Sequence, residues 1–272
     1  MFSCEQCSSM ILKDIKIFLQ NTCKNNFIIN MILKTQHFFD IIFIQEPSWS
    51  FIQLLPSLKN SKGEELVGVS NHLSWTTFSR NTANSGDSPR VITYINIRLM
   101  SLCFSLYKDI FNHWNISYVF FINCSLVYFL INVYLDPLQS ALKYLKDIEV
   151  DINNVLIMTG DFNIRDCSWD PNFWLHSIYK DILLDIADFF HLEMSELTNC
   201  VPTRYSNNQQ ESGSVIDLMF LRPTLLEHNS IEYYFHTLSR FLEACKEEPY
   251  YGFWELFSQL HLLVLSVTTQ RP

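Results

Sequence analysis

The sequence predicts an α/β fold, and three observations carry that expectation. Residues 154–159 form a short apolar, partly β-branched run that suits a buried strand. It stops at Gly160-Asp161-Phe162-Asn163, a sharp turn with two short polar side chains one residue apart. Upstream, an apolar run at 127–134 is closed by Asp136-Pro137. It is followed by an amphipathic stretch, 138–150, with Leu138, Ala141, Leu142, Leu145 and Ile148 on one face, and then by the strand ending at Asp161. Strand, helix, strand is the order of an α/β unit. Finally, 48% of the 272 residues are hydrophobic and 15% aromatic, which is ample for the core of one large domain or two small ones and too apolar for disorder.

In chain order, residues 15–19 alternate as a strand and deliver Gln20-Asn21 to its tip. Residues 25–34 carry Ile28, Met31 and Ile32 at helical spacing. Residues 38–45 form a second buried strand ending in Glu46-Pro47. Residues 57–65 and 81–89 are polar loops; 66–69, 75–79 and 91–97 are strands. No formal charge falls between Ile110 and Leu135, a length that could cross a bilayer. The Val, Phe, Tyr and Ile content and the break at Asn123-Cys124-Ser125 favour two strands over a membrane helix. Past Asn163 the chain is irregular to Pro171, with Trp169 and Trp174 expected to pack beneath the strand end. Residues 179–190 read as a helix, 206–214 as a polar loop, and 215–221, carrying Asp217, as a strand.

Net charge is −9, which gives no overall electrostatic footprint for nucleic acid; sparse, scattered Lys and Arg imply weak, salt-sensitive binding. Eight cysteines are not preceded by a secretory signal, so reduced thiols are expected. Intracellular residence, the nucleus included, is expected rather than secretion. Cys4-Glu-Gln-Cys7 has zinc-ligand spacing but no second pair to complete a finger or ribbon.

The polar residues at strand ends are Asn21, Glu46, Tyr134, Asp161, Asn163 and Asp217. Carboxylates and amides without a His or Cys cluster suit a hard, oxygen-seeking cation such as Mg²⁺, able to polarise a phosphoryl oxygen.

The ordered set Ile17-Phe18-Leu19-Gln20-Asn21, Ile42-Phe43-Ile44-Gln45-Glu46-Pro47, Asn132-Val133-Tyr134, Gly160-Asp161-Phe162-Asn163 and Ser214-Val215-Ile216-Asp217-Leu218 resembles the endonuclease/exonuclease/phosphatase superfamily. Within it, the resemblance is to the endonuclease domains of non-LTR (LINE-type) retrotransposons, over about Asp14 to Pro223. The resemblance implies a four-layer α/β sandwich, two facing mixed β-sheets with helices outside. It also implies DNA phosphodiester hydrolysis with Mg²⁺ or Mn²⁺. Carried over, Glu46 is a metal ligand with Asn21 at the metal site orienting it. Tyr134 and Asn163 hold the scissile phosphate, Asp161 positions the attacking water or protonates the leaving oxygen, and Asp217 orients a catalytic His.

The family closes with Ser-Asp-His on a final strand. This chain has no such tripeptide, and Ser258-Gln259-Leu260-His261 echoes it without the Asp. Residues 231, 234, 238, 241, 242 and 245 are apolar at helical spacing, with Asn229 as cap and Glu232 as its capping-box partner. The expectation is a 14–223 nuclease-like domain followed by a divergent, mainly helical segment, 224–272, in which a helix at about 230–246 replaces the final strand and a second apolar element follows at 253–267. The functional alternatives are an active endonuclease with His261 or His236 as base, a decayed copy that keeps the fold, a phosphatase or phospholipase of the same superfamily, and a membrane protein using 110–135. A monomer that binds DNA and no membrane is expected.

Overall fold

The computed structural model describes residues 15–34, 38–51, 67–79, 88–102, 104–106, 113–123, 126–148, 154–195, 214–223, 229–237 and 261–269. One six-stranded sheet contains β1 (Lys16–Asn21), β2 (Ile41–Gln45), β5 (Trp75–Phe78), β6 (Val91–Asn96), β13 (Asn229–Thr237) and β14 (His261–Thr269), in the order β13-β14-β1-β2-β6-β5. A second contains β7 (Ser105–Leu106), β8 (Ile116–Asn123), β9 (Leu126–Tyr134), β10 (Val155–Asp161), β11 (Glu193–Met194) and β12 (Asp217–Leu221), in the order β11-β12-β10-β9-β8-β7. A small hairpin pairs β3 (Ser50–Phe51) with β4 (Val67–Gly68).

Each large sheet is built on one parallel pair, β1/β2 and β9/β10, with its other pairings antiparallel. Parallel neighbours need a crossover, and a helix supplies it both times. Helix α1 (Asn26–Leu33) links β1 to β2 and is capped by Asn25, whose side chain accepts from the N–H groups of Phe27 and Ile28. Helix α2 (Ser140–Lys146) links β9 to β10. Helix α3 (Ile178–Phe189), capped by Ser177, packs beside α2.

Strand alternation sorts the core into three layers of contact. Ile17, Leu19, Ile41 and Phe43 face Val119, Phe121, Leu130 and Met219 between the sheets. Phe18, Ile42, Ile44 and Tyr94 turn outward onto Ile28, Ile29 and Ile32 of α1. Ile131, Val133, Met158 and Phe220 turn outward onto α2 and α3. The result is helix, sheet, sheet, helix, the four-layer α/β sandwich the resemblance implies. A polar clamp crosses the middle. The Gln45 amide donates to Asn132 Oδ1 (2.6 Å), and Asn132 Nδ2 donates to the carbonyls of Ile44 (3.3 Å) and Ile92 (3.0 Å).

Three expectations from the sequence meet the structure differently. The stretch read as a membrane candidate is the hairpin β8–β9, two strands, and no described helix is long and apolar enough to cross a membrane. The helix expected at 230–246 is not formed at 229–237, which is β13, paired along its whole length with β14. Residues 238–246 and 253–260 lie outside the described residues, as do Cys4 and Cys7 and the loops at 57–65 and 206–213. Of the second apolar element expected at 253–267, within a segment expected to be mainly helical, the described residues 261–267 lie in strand β14. Local periodicity favoured helix, but Ile231-Glu232-Tyr233-Tyr234-Phe235 is rich in strand-forming residues. The long-range pairing to β14, and of β14 to β1, gives them a ladder that helical spacing cannot anticipate. Lastly, Trp169 is buried, its indole N–H donating to the Ile164 carbonyl (3.2 Å), whereas Trp174 is 81% exposed and packs under nothing.

Candidate active site

The turn after β10 is made possible by Gly160. A Cβ there would stand 1.8 Å from the Val133 carbonyl oxygen, so no other residue lets β10 lie this close to β9. Asp161 is therefore carried to the sheet end directly beside Tyr134, its register partner on β9, and opposite Asp217 on β12. Directly opposed residues on neighbouring strands share a face, so all three side chains belong to one end of one sheet.

The other sheet contributes Asn21 and Glu46. Asn21 ends β1; its Oδ1 accepts from the Cys23 N–H (2.8 Å), which turns its Nδ2 toward the cleft. That nitrogen donates to Glu46 Oε2 (3.2 Å) and to Asp161 Oδ2 (2.7 Å). Both carboxylates touch one nitrogen, so they can be no further apart than those two bonds laid end to end, well inside the ~10 Å that one hydrated dication can bridge. Glu46 sits at φ 45° and Asn163 at φ 49°, both left-handed. This conformation is unfavourable for Glu by roughly 1–2 kcal/mol. It is held because Glu46 N–H donates to Arg90 O (2.8 Å) while its own carbonyl accepts from Lys24 N–H (2.7 Å) and from the Thr22 hydroxyl (2.9 Å). Strain of this kind, fixed by surrounding bonds, is characteristic of functional positions.

Asn163 N–H donates to Asp161 Oδ1 (3.1 Å) and its amide to Leu135 O (2.9 Å), fixing both side chains against the end of β9. Burial, the bonded Glu46 carboxylate and the Asp161 charge together push the Tyr134 hydroxyl above its ordinary range, against the opposing effect of Arg90. It is therefore a neutral donor at physiological pH. The Arg90 guanidinium lies 5.2 Å over its ring.

Five of the six residues singled out in the sequence thus form one bonded network, and Asp217 joins it by register. The backbone also brings His261 to this end: β14 pairs Leu263 with Leu19, so two residues further on His261 is level with Asn21. His236 pairs with Leu262 on β13, one strand further out. Sequence reasoning missed the wall beside Glu46, a cleft of about 360 Å³ lined by Lys24, Trp49, Arg90 and Trp114 among others. These cations and aromatics are far apart in sequence, and only Pro47 and Pro89, flanking strand ends, hinted at them.

Known proteins share this two-sheet fold. A family model described as Endonuclease-reverse transcriptase matches residues 128–240. The endonuclease domain of TRAS1, a telomere-specific non-LTR retrotransposon, is similar with a TM-score of 0.61 at 16% identity, covering 95% of this chain and 100% of that one. The 3′-5′ exonuclease NExo from Neisseria meningitidis gives 0.55 at 14% identity, covering 93% and 100%. An AP endonuclease from Archaeoglobus fulgidus gives 0.55 at 14%, covering 92% and 98%. No curated protein matches in sequence. Residues 128–240 thus resemble that family, and the chain as a whole shares the two-sheet fold of these nucleases.

Proposed function

We propose that the chain is a metal-dependent hydrolase of DNA phosphodiesters, related to retrotransposon endonucleases. The observation that carries this reading is the Asn21 amide holding Glu46 and Asp161 together from two different sheets. Two acidic groups drawn together by one neutral donor are a costly arrangement without a cationic guest. The donors are all hard oxygens, which fits Mg²⁺ or Mn²⁺. Similar solved structures bear the names of an endonuclease domain, an exonuclease and an AP endonuclease, which favours a nucleic-acid backbone as substrate.

In this reading Glu46 holds the cation, and Asn21, whose nitrogen rather than oxygen faces it, keeps that carboxylate oriented. A bound Mg²⁺ would polarise the scissile phosphoryl oxygen and offset its growing charge. Tyr134 stays protonated and donates to a non-bridging oxygen; the Asn163 amide, fixed at the end of β9, does the same. Asp161 orients the attacking water or gives a proton to the leaving oxygen. The resemblance calls for a histidine base oriented by Asp217, and the backbone register brings position 261 level with Asn21. Lys24 and Arg90 offer positive charge for the flanking backbone.

One residue favours the weaker form of this activity. The family's closing Asp is absent, and Leu260 precedes His261 instead. Loss of that carboxylate lowers affinity for the cation without removing the rest of the site. The experiment is plasmid nicking by purified protein with and without Mg²⁺, with Asp161→Ala as control. Nicking that needs the metal and falls by about 10²-fold or more in the variant supports the proposal. Metal-independent nicking, or nicking equal in the variant, overturns it.

A further inference from the structure

The loop between β10 and α3 holds a second cluster of ligating side chains. Cys167 N–H donates to the Leu175 carbonyl (3.1 Å), pinching the loop so that residues 167 and 176 meet. Asp166 is fully buried and accepts from the backbone N–H groups of Ser168 and Ser177, both at 2.8 Å, so its carboxylate is fixed. His176 Nδ1 then stands 3.4 Å from Asp166 Oδ2 and 3.4 Å from Cys167 Sγ. One oxygen, one sulfur and one nitrogen lie within 4.8 Å of one another, the sole such group of three found among the described residues.

We propose that Asp166, Cys167 and His176 bind a zinc-class transition-metal dication, at a site separate from the Glu46–Asp161 pair. The two separations from His176 Nδ1 match edges of a tetrahedral site, and the Asp166 oxygen and Cys167 sulfur lie within 4.8 Å of each other. With metal–N and metal–O bonds of about 2.0–2.1 Å and metal–S of about 2.3 Å, the corners are roughly 3.3–3.6 Å apart, and both distances from His176 fall in that range. His176 is 70% exposed, so water can complete the fourth position. Thiolate and imidazole select zinc-like ions over Mg²⁺, whereas the Glu46–Asp161 pair offers only oxygen. On binding, the Cys167 thiol proton passes to solvent as the sulfur–metal bond forms, and His176 binds as neutral imidazole through Nδ1. Lys180 does not displace the ion. Its ammonium lies 3.6 Å from Asp166 Oδ1, the other carboxylate oxygen, and donates to the Ser168 hydroxyl (2.6 Å). Its charge offsets the second negative charge that the thiolate brings. The bound ion would clip together the segment that leaves Asn163 and enters α3.

The test is titration of the full chain with Co²⁺, after chelation, in a Cys4→Ser/Cys7→Ser background that removes the other close cysteine pair. The expected result is a thiolate-to-cobalt absorption band saturating at one equivalent, unaffected by excess Mg²⁺ and absent in Cys167→Ser. In His176→Gln, a change at an exposed side chain, binding should weaken by about 100-fold. A band that survives both substitutions, or no saturable binding below about 100 µM Co²⁺, overturns the proposal. The readout is metal binding rather than hydrolysis, so its failure leaves the nuclease reading intact.

Discussion

Replacing Asn21 with Ala tests the joint between the two halves of the site. The substitution removes the donor to Glu46 Oε2 and Asp161 Oδ2 and leaves the two carboxylates facing each other. A hydrogen bond to a charged group contributes about 1.5–3 kcal/mol. Two unit charges about 6 Å apart at an effective dielectric constant of about 20 repel by about 3 kcal/mol. Glu46 is only half-buried and can swing toward water, which caps the loss, so a destabilisation of about 3 kcal/mol is expected. For a domain of this size that lowers Tm by roughly 6–12 °C. The assay is urea denaturation of the wild type, Asn21→Ala, Glu46→Gln and the double variant, at low ionic strength without divalent metal. Neutralising Glu46 should recover about half of the loss in the Asn21→Ala background. Additivity within about 0.5 kcal/mol, or an unchanged Asn21→Ala, would refute the claim that Asn21 holds two repelling groups together.

Three further outcomes are expected. Gly160→Ala should destabilise by more than about 4 kcal/mol and yield protein without a cooperative melting transition by circular dichroism, because the new Cβ meets the Val133 carbonyl. Asn132→Leu should lower stability in urea by about 3–5 kcal/mol by stranding the Gln45 amide and two carbonyls inside the sandwich, with Gln45→Leu recovering part of it. Asp136 is partly buried, which raises its pKa, but hydrogen bonds from the Ser140 backbone N–H and hydroxyl and from Asn115 outweigh this and hold it below the ordinary carboxylate range. Its stabilisation is thus fully present above the unfolded value of about 3.9 and is lost as pH falls below it, so the stability gap between wild type and Asp136→Asn should close in acid.

The candidate site was legible because most of the contributing strands are short apolar runs stopped by a polar residue. Asn21, Glu46, Tyr134 and Asp161 mark such stops, whereas Asp217 opens β12. The family match then supplies the idea that they meet. What was not legible depends on pairing between distant segments. Residues 229–237 carry an apolar spacing that satisfies a helix, and their strand identity comes from β14, which is itself set by β1. The Asp166–Cys167–His176 group escaped for a similar reason: nine residues separate the thiol from the imidazole, and the Cys167–Leu175 backbone bond that closes the gap has no sequence signature. Trp174 was expected to pack beneath the strand end, but it lies 81% exposed in the loop before α3.

The position of β14 has a consequence for how the protein is made. This strand lies between β1 and β13, so β1 keeps one edge open until β14, about 240 residues further along the chain, is synthesised. Closing a contact between segments this distant is slow, and an open apolar edge meanwhile invites pairing with other chains. Asn21 and position 261 sit at the same end of that delayed seam, so the candidate site is completed only when β14 docks. A premature stop before residue 261 would leave β1 exposed and β13 without its neighbour, and such a product should be cleared or aggregate rather than persist.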